Sequence, residues 1–218
     1  MKTTLWSFVV AAFMLFISNP VSAQQEAFAK KLLNQVSAKY DGYKTIKASF
    51  SFSAKQANGG TYTDAGTLYL DKKANKYLIE MKSQDLISDG KSTWTILKEE
   101  DEVQINDADQ SNDNINPSNI FSFYKTGFKY VSADDEKVGA TTLNVIELSP
   151  IDTKKNYFKI KLRINKASKL IYDATIFDKS GSRYTYTIKS LNGNASIAAS
   201  TFTFNKSKYP GMEIVDLR

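Results

Sequence analysis

Neither cysteine nor histidine occurs among the 218 residues. Without cysteine there is no disulfide and no thiolate nucleophile, so a packed core has to hold the fold. Without histidine, Ser-His-Asp triads, Cys-His pairs, His-ligated zinc and the usual general base near neutral pH are all excluded. An enzyme built from this chain would have to work with carboxylates, lysine or tyrosine. A basic stripe is also missing. The formal charge is +6, but the lysines are scattered and no Gly-Phe stacking motif accompanies them, which argues against nucleic acid as a partner. Tryptophan is scarce, at two, whereas Phe and Tyr number 13 and 12, a composition that suits strands and apolar cavities.

The first 23 residues read as a secretory leader. Lys2 supplies a short basic region, Leu5 to Ile17 an apolar run, and Val21-Ser22-Ala23 a small-residue cleavage site. The run is short for a bilayer, and no stop-transfer pattern or basic cluster follows it, which argues against an uncleaved anchor. Cleavage after Ala23 removes 23 of 218 residues and leaves 195, with the charge falling to +5 as Lys2 is lost. No cysteine follows the site, so no lipid is expected there. The remainder reads as one exported domain over residues 24–218, without linker or internal repeat, and large enough to bury its own core.

Phe28, Leu32, Val36 and Tyr40 recur every four residues between Gln25 and Tyr40, which predicts one amphipathic helix ending at Asp41-Gly42. From Ile46 the period becomes two. Ile46, Ala48, Phe50, Phe52 and Ala54 alternate with polar residues, as in a half-buried strand. Turn residues at Asn58-Gly59-Gly60, Asp71 to Asn75 and Ser88-Asp89-Gly90 then separate strands around Leu68, Ile79 and Trp94 in an antiparallel meander. After a polar stretch from Asp107 to Asn116, the segment Asn116 to Gly127 reads as a short apolar helix with a proline in its first turn and glycine at its end. Strands resume at Leu143 to Leu148, Phe158 to Ile164, Leu170 to Phe177, Arg183 to Leu191 and Thr201 to Phe204, roughly ten in all.

Chemistry-bearing constellations are weak. Asp107-x-Asp109-x-Ser111-x-Asp113 has the alternating oxygens of a calcium loop, but Asn112 stands where the turn wants glycine and Ser118 where a bidentate glutamate should close it. No metal site is expected. The acidic groups Glu99 to Glu102 and Asp134 to Glu136 fall at expected turns, where charge is usually solvated. No catalytic residue and no cofactor follow from the residue pattern. What stands out is apolar: long aromatic strands and an isolated aromatic segment between them. A curled sheet of this size fills its concave face with side chains, a covering helix or a ligand, and the residues by themselves favour the first helix and the aromatic segment as a plug over a ligand cavity, since apolar stripes are usually core.

At Ile87-Ser88-Asp89-Gly90-Lys91-Ser92-Thr93-Trp94 the chain resembles the periplasmic lipoprotein carrier family, LolA, whose members carry a (V/I)SDGxxxW hairpin. Ala48-Ser49-Phe50 and Gly66 to Leu70 upstream are similar to further family strands. Phe158-Lys159-Ile160, Phe177 to Gly181, Tyr186 to Lys189, Phe202-Thr203-Phe204 and Pro210 to Asp216 continue the family order downstream. The resemblance implies a mainly β fold with helices (α+β), an incompletely closed antiparallel barrel under a helical lid. It implies no enzyme but a monomeric carrier of acylated lipoproteins, loaded by an inner-membrane exporter and unloaded at an outer-membrane acceptor. An envelope sensor of lipid or lipoprotein built on the same half-barrel is the alternative. By the resemblance, Phe50, Leu68, Leu70, Tyr77, Ile79, Met81, Trp94 and Ile96 line the acyl cavity, and Ile120, Phe121, Phe123 and Phe128 form the lid. The family's Arg-Pro pair before the Tyr77 strand, whose arginine latches the lid, is replaced by Asp71-Lys72-Lys73-Ala74, where Lys72 and Lys73 are equal candidates. An ammonium is a point donor where a guanidinium forks.

Overall fold

The computed structural model describes residues 20–108, 115 and 119–218. The expected leader lies almost wholly outside these residues, as do Asp109, Ser111, Asn112, Asp113 and Ser118 of the calcium-like pattern. Among the described residues the fold is mainly β, with one α-helix and one sheet.

Helix α1 spans Pro20–Asp41. Its buried stripe is Ala29, Leu32, Leu33, Val36 and Tyr40, the i, i+3, i+4 pattern of a helix lying on a surface. Phe28, expected in that stripe, points outward and is exposed. A strict four-residue spacing drifts by about 40° per step on a helix of 3.6 residues per turn, so the far member of the row leaves the contact.

Twelve strands follow: β1 (Thr45–Lys55), β2 (Thr61–Asp71), β3 (Lys76–Met81), β4 (Gln84–Ser88), β5 (Ser92–Leu97), β6 (Glu102–Asp107), β7 (Phe128–Val138), β8 (Thr141–Pro150), β9 (Tyr157–Asn165), β10 (Ile171–Asp178), β11 (Arg183–Gly193) and β12 (Glu213–Asp216). Their order in the sheet is β12-β6-β5-β4-β3-β2-β1-β11-β10-β9-β8-β7. Two antiparallel meanders therefore meet where β11 returns to pair with β1. β12 lies parallel to β6, the exception in an otherwise antiparallel sheet. Strands β7 and β12 are the two edges and do not pair with each other, so the expected incompletely closed barrel is found as a single open sheet.

The sheet carries two cores on opposite faces. On one face α1 and the 119–125 segment pack on Ile46, Ala48, Leu68 and Leu70 and on Ile146, Leu148, Ile160, Leu162 and Ile164. On the other, Leu78, Ile87, Ile96 and Val103 are covered by Phe204, Tyr209 and Met212 of the C-terminal segment. Ion pairs finish the surface opposite α1, where Arg163 of β9 holds buried Asp173 of β10 and reaches Glu136 of β7 at 3.1 Å.

Three local readings change. The aromatic segment before β7 is not an α-helix but a turn at Asn119 followed by a single 3-10 turn, Phe123–Lys125. Its three rings, Phe121, Phe123 and Tyr124, are all buried, and it is held by packing. Thr201 to Phe204, expected as a strand, lies across the end of a 3-10 turn, Ala199–Phe202, that buries Phe202. Asp134 to Glu136, expected as a turn, falls inside β7 at a register shift between Ala133 and Glu136, a bulge of the kind that blunts an edge strand.

Candidate functional site

The wall beneath α1 is set by strand register. Phe50 pairs with Gly66, and Gly66, Leu68 and Leu70 of β2 pair with Met81, Ile79 and Tyr77 of β3. Directly paired residues share a face, so all of these look toward the helix. Phe50, Leu68 and Leu70 are buried, whereas Tyr77, Ile79 and Met81 are half-buried against the same cluster. Gly66 makes the wall possible. A Cβ there would stand 2.5 Å from the Glu80 carbonyl oxygen and 2.9 Å from the Phe50 ring, so glycine is what lets that ring approach the strand so closely.

Trp94 and Ile96 are not part of this wall. Trp94 pairs with Ile87 and Ile96 with Asp85, which turns both toward the C-terminal segment. There Trp94 stacks on Phe204 at 5.7 Å, and Phe204 stacks in turn on Tyr209. Asp85, buried between them, accepts from Lys98 at 2.6 Å and from the Tyr209 hydroxyl at 3.2 Å. Burial is the first cause that pushes the Tyr209 phenol up to about 12, and the Asp85 charge adds to it. The cluster straps the C-terminal segment to the sheet.

The expected cover residues do come together. Phe121 stacks on Tyr40 of α1 at 4.6 Å, and Phe123 meets Tyr124 and Phe128 edge-on at 5.6 and 5.8 Å. Ile120 packs half-buried on the same cluster, and Phe128 is the first residue of β7. Tyr40 is anchored from below, because its hydroxyl accepts the Ile171 amide at 3.1 Å. Burial drives its phenol well above the usual tyrosine range. Tyr124 is likewise raised to about 12 by burial, although the Ser37 hydroxyl, donating at 3.5 Å, offsets part of that.

Polar contacts hold this cover at one corner. The Lys72 ammonium donates to the Tyr40 carbonyl at 2.6 Å and lies 3.8 Å from Asp41. Tyr40 is in the last turn of α1, where unsatisfied carbonyls and the helix dipole both favour a cation. Burial lowers the Lys72 pKa, Asp41 opposes that and Lys125 reinforces it. Lys73 is exposed. Of the two lysines, the structure brings Lys72 to the end of α1. It also adds two residues that sequence reasoning missed: Lys125, from the cover, donates to both oxygens of Asp41 at 2.9 and 2.8 Å. Eighty-four positions separate them, and no local pattern signals the pairing.

Beside the cover a cavity of about 470 Å³ opens between the starts of β7 and β9 and the end of β8. Phe123, Phe128, Pro150, Ile151 and Tyr157 line it, with Lys155 at its rim. Its size falls within the range of small-ligand sites, about 300 to 1,000 Å³. Among the described residues, no helix is long and apolar enough to cross a membrane, and no group of three or more Asp or Glu is placed to hold a metal ion.

The family model for the outer membrane lipoprotein carrier protein LolA matches residues 41–205. No curated protein sequence matches the chain. Among solved structures, an uncharacterized conserved protein from Thermus thermophilus is similar at a TM-score of 0.56, with 10% identity over 87% of this chain and 99% of its own. A DUF1329 family protein from Desulfovibrio piger is similar at 0.48, with 13% identity over 85% and 99% of the two chains. A LolA superfamily protein from Nitrosomonas europaea is similar at 0.42, with 12% identity over 81% and 97%. The family match spans the helix end, the wall, the cover and the C-terminal strap as far as Phe204, and on that ground the chain belongs to the outer membrane lipoprotein carrier protein LolA family.

Proposed function

We propose that this protein is a periplasmic carrier that shields the acyl chains of lipoproteins between the inner and outer membranes, without a cofactor or covalent chemistry. The supporting observation is the construction of the cover: apolar rings lie on an apolar wall, yet two lysines clasp them at a corner through Asp41 and the Tyr40 carbonyl. Polar clasps of this kind can be exchanged for water at modest cost, whereas the apolar wall beneath, once uncovered, rewards an alkyl chain by about 0.8 kcal/mol per methylene kept from water. In the closed form Phe50, Leu68 and Leu70 are covered by α1 and the 119–125 segment, so loading requires that segment to move. The half-buried Tyr77, Ile79 and Met81 are the wall residues an acyl chain then meets. An inner-membrane exporter as donor and an outer-membrane acceptor complete the reading.

The test is to purify the protein from the envelope and search for co-purifying acylated lipoprotein by mass spectrometry. Wild type should carry it, and Ile79→Glu and Phe121→Glu should lose it while keeping the β-rich circular dichroism of the parent. Cargo retained by both folded variants, or absent from wild type, overturns the carrier role.

A further inference from the structure

Three turns meet at one end of the sheet: 56–60 between β1 and β2, 151–156 between β8 and β9, and 179–182 between β10 and β11. They are tied together. The Lys179 amide donates to the Asn156 carbonyl at 2.8 Å, its ammonium donates to the Thr153 carbonyl at 2.5 Å, and Gly181 comes close enough to Ala57 that a Cβ there would stand 3.3 Å from it. The surface they form is both greasy and basic. Ile151 is 61% exposed, Phe158 52% and Tyr62 45%, although large apolar side chains usually find cover. Around them stand Lys55, Lys154, Lys155, Lys179 and Arg183, against the carboxylates Asp152 and Asp178. Asp152 accepts from the Lys154 amide and Asp178 from the Ser180 amide within their own turns, so the five cations outnumber two carboxylates. Phe158 lies against Phe177, and Phe177 carries the Lys159 ammonium at 4.8 Å and the Arg183 guanidinium at 5.2 Å over its ring. Rings with cations beside them suit the boundary between headgroups and acyl chains.

The cavity beside the cover reaches this same end, since Pro150, Ile151, Lys155 and Tyr157 line it. The opposite end of the strands is basic too, at Lys72, Lys73, Lys166 and Lys169, but its exposed large apolar residues among those described, Val138 and Leu217, stand apart, at the ends of the two opposite edge strands β7 and β12. Charge alone does not separate the two ends. Charge together with exposed hydrophobes and a cavity mouth does.

We propose that the end formed by the 56–60, 151–156 and 179–182 turns docks on an anionic phospholipid surface, with Ile151 and Phe158 entering the interface and the surrounding lysines meeting the headgroups. This rests on the carrier reading and adds to it a route by which an acyl chain passes from bilayer to cavity without crossing water. Apolar insertion and headgroup attraction act together in such contacts, so binding requires both and weakens with salt.

Flotation of the purified full chain with vesicles of phosphatidylglycerol and phosphatidylcholine, against vesicles of phosphatidylcholine alone, tests the proposal. Wild type should bind the anionic vesicles at least tenfold better and release them as salt rises. Ile151→Asp with Phe158→Asp, and separately Lys154→Glu with Lys179→Glu, should each lower that binding at least tenfold. Lys44→Glu with Lys206→Glu, exposed positions elsewhere, should leave it unchanged. All six positions are at the surface, so circular dichroism should match wild type. No preference of wild type for anionic vesicles, or equal binding by either variant of this end, overturns the docking surface. Vesicle binding without any co-purifying acylated lipoprotein keeps the surface and overturns the carrier role. Cargo without vesicle binding does the reverse.

Discussion

The ring of Phe121 lies almost flat on the ring of Tyr40, with centroids 4.6 Å apart and planes 13° from parallel. Tyr40 closes α1 and its hydroxyl takes the Ile171 amide, so one residue joins helix, sheet and cover. Whatever lifts the 119–125 segment has to break this stack.

Phe121→Ala removes it. Deleting a buried aromatic ring costs about 3 to 5 kcal/mol, and the low end is expected because the segment can detach without unfolding the sheet. Urea unfolding should show the loss, and amide hydrogen exchange should rise selectively over residues 119–125 and the last turn of α1. Exchange that stays slow there would assign the hold to Phe123 and Tyr124 instead.

Lys72→Met deletes the donor to the Tyr40 carbonyl and the nearby charge for Asp41. A loss of about 1 kcal/mol is expected, with Lys72→Arg retaining most of the stability and Lys73→Met retaining all of it. The lowered Lys72 pKa sets the sign with pH. Between its folded value and the unfolded 10.5, the unfolded chain holds the extra proton, so the wild-type advantage of folding grows as pH rises through that window. Lys72→Met should flatten this slope in denaturant titrations at alkaline pH.

Asp64 fastens the turn after β3 to β2. Partial burial raises its pKa, but hydrogen bonds from the Ser83 hydroxyl, the Ala65 and Ser83 amides and the Tyr62 hydroxyl outweigh that and hold it at about 2. A carboxylate depressed from 3.8 contributes stability in full above the unfolded value, and loses it as pH falls from 3.8 toward 2. Asp64→Asn should lower stability by about 1 kcal/mol at pH 7 and remove part of the acid sensitivity in that window. Parallel acid titrations of the two proteins would contradict this.

Gly66→Ala places a methyl carbon 2.5 Å from the Glu80 carbonyl oxygen and 2.9 Å from the Phe50 ring. Neither the backbone of β3 nor the buried ring can yield freely. A destabilisation of about 2 to 3 kcal/mol is expected by thermal unfolding, whereas Gly59→Ala, with open space around it but a positive φ, should cost less.

Much of this molecule was legible in the order of its residues. Alternation at Ile46 to Ala54 and at Phe158 to Ile164 marks strands, because side chains on a pleated ribbon point to opposite faces every second residue. The SDG hairpin and the order of motifs carried the family. The aromatic cover was legible as a composition but not as a conformation: the rings of 120–124 share one surface by packing, without a helical repeat to fix them.

Other features had no local signature. The family resemblance puts Ile79 and Trp94 on one cavity wall, and alternation by itself gives each strand two faces without saying which is inward. Which of the two faces meets α1 depends on the pairing of Leu78 with Ile87 and of Ile87 with Trp94, and on the C-terminal segment covering that row. The choice of Lys72 over Lys73 depends in the same way on where the end of α1 comes to rest.

By itself the chain of residues determined the strand periods, the exclusion of thiol and imidazole chemistry, and the abundance of rings, since these follow from composition and from neighbours a few positions apart. Tertiary structure alone decided that Trp94 turns away from the helix, that the sheet stays open, and that Asp41 and Lys125 close a corner across 84 positions. Register, twist and helix placement are collective properties of the whole sheet, and a side chain's partner is settled only when they are.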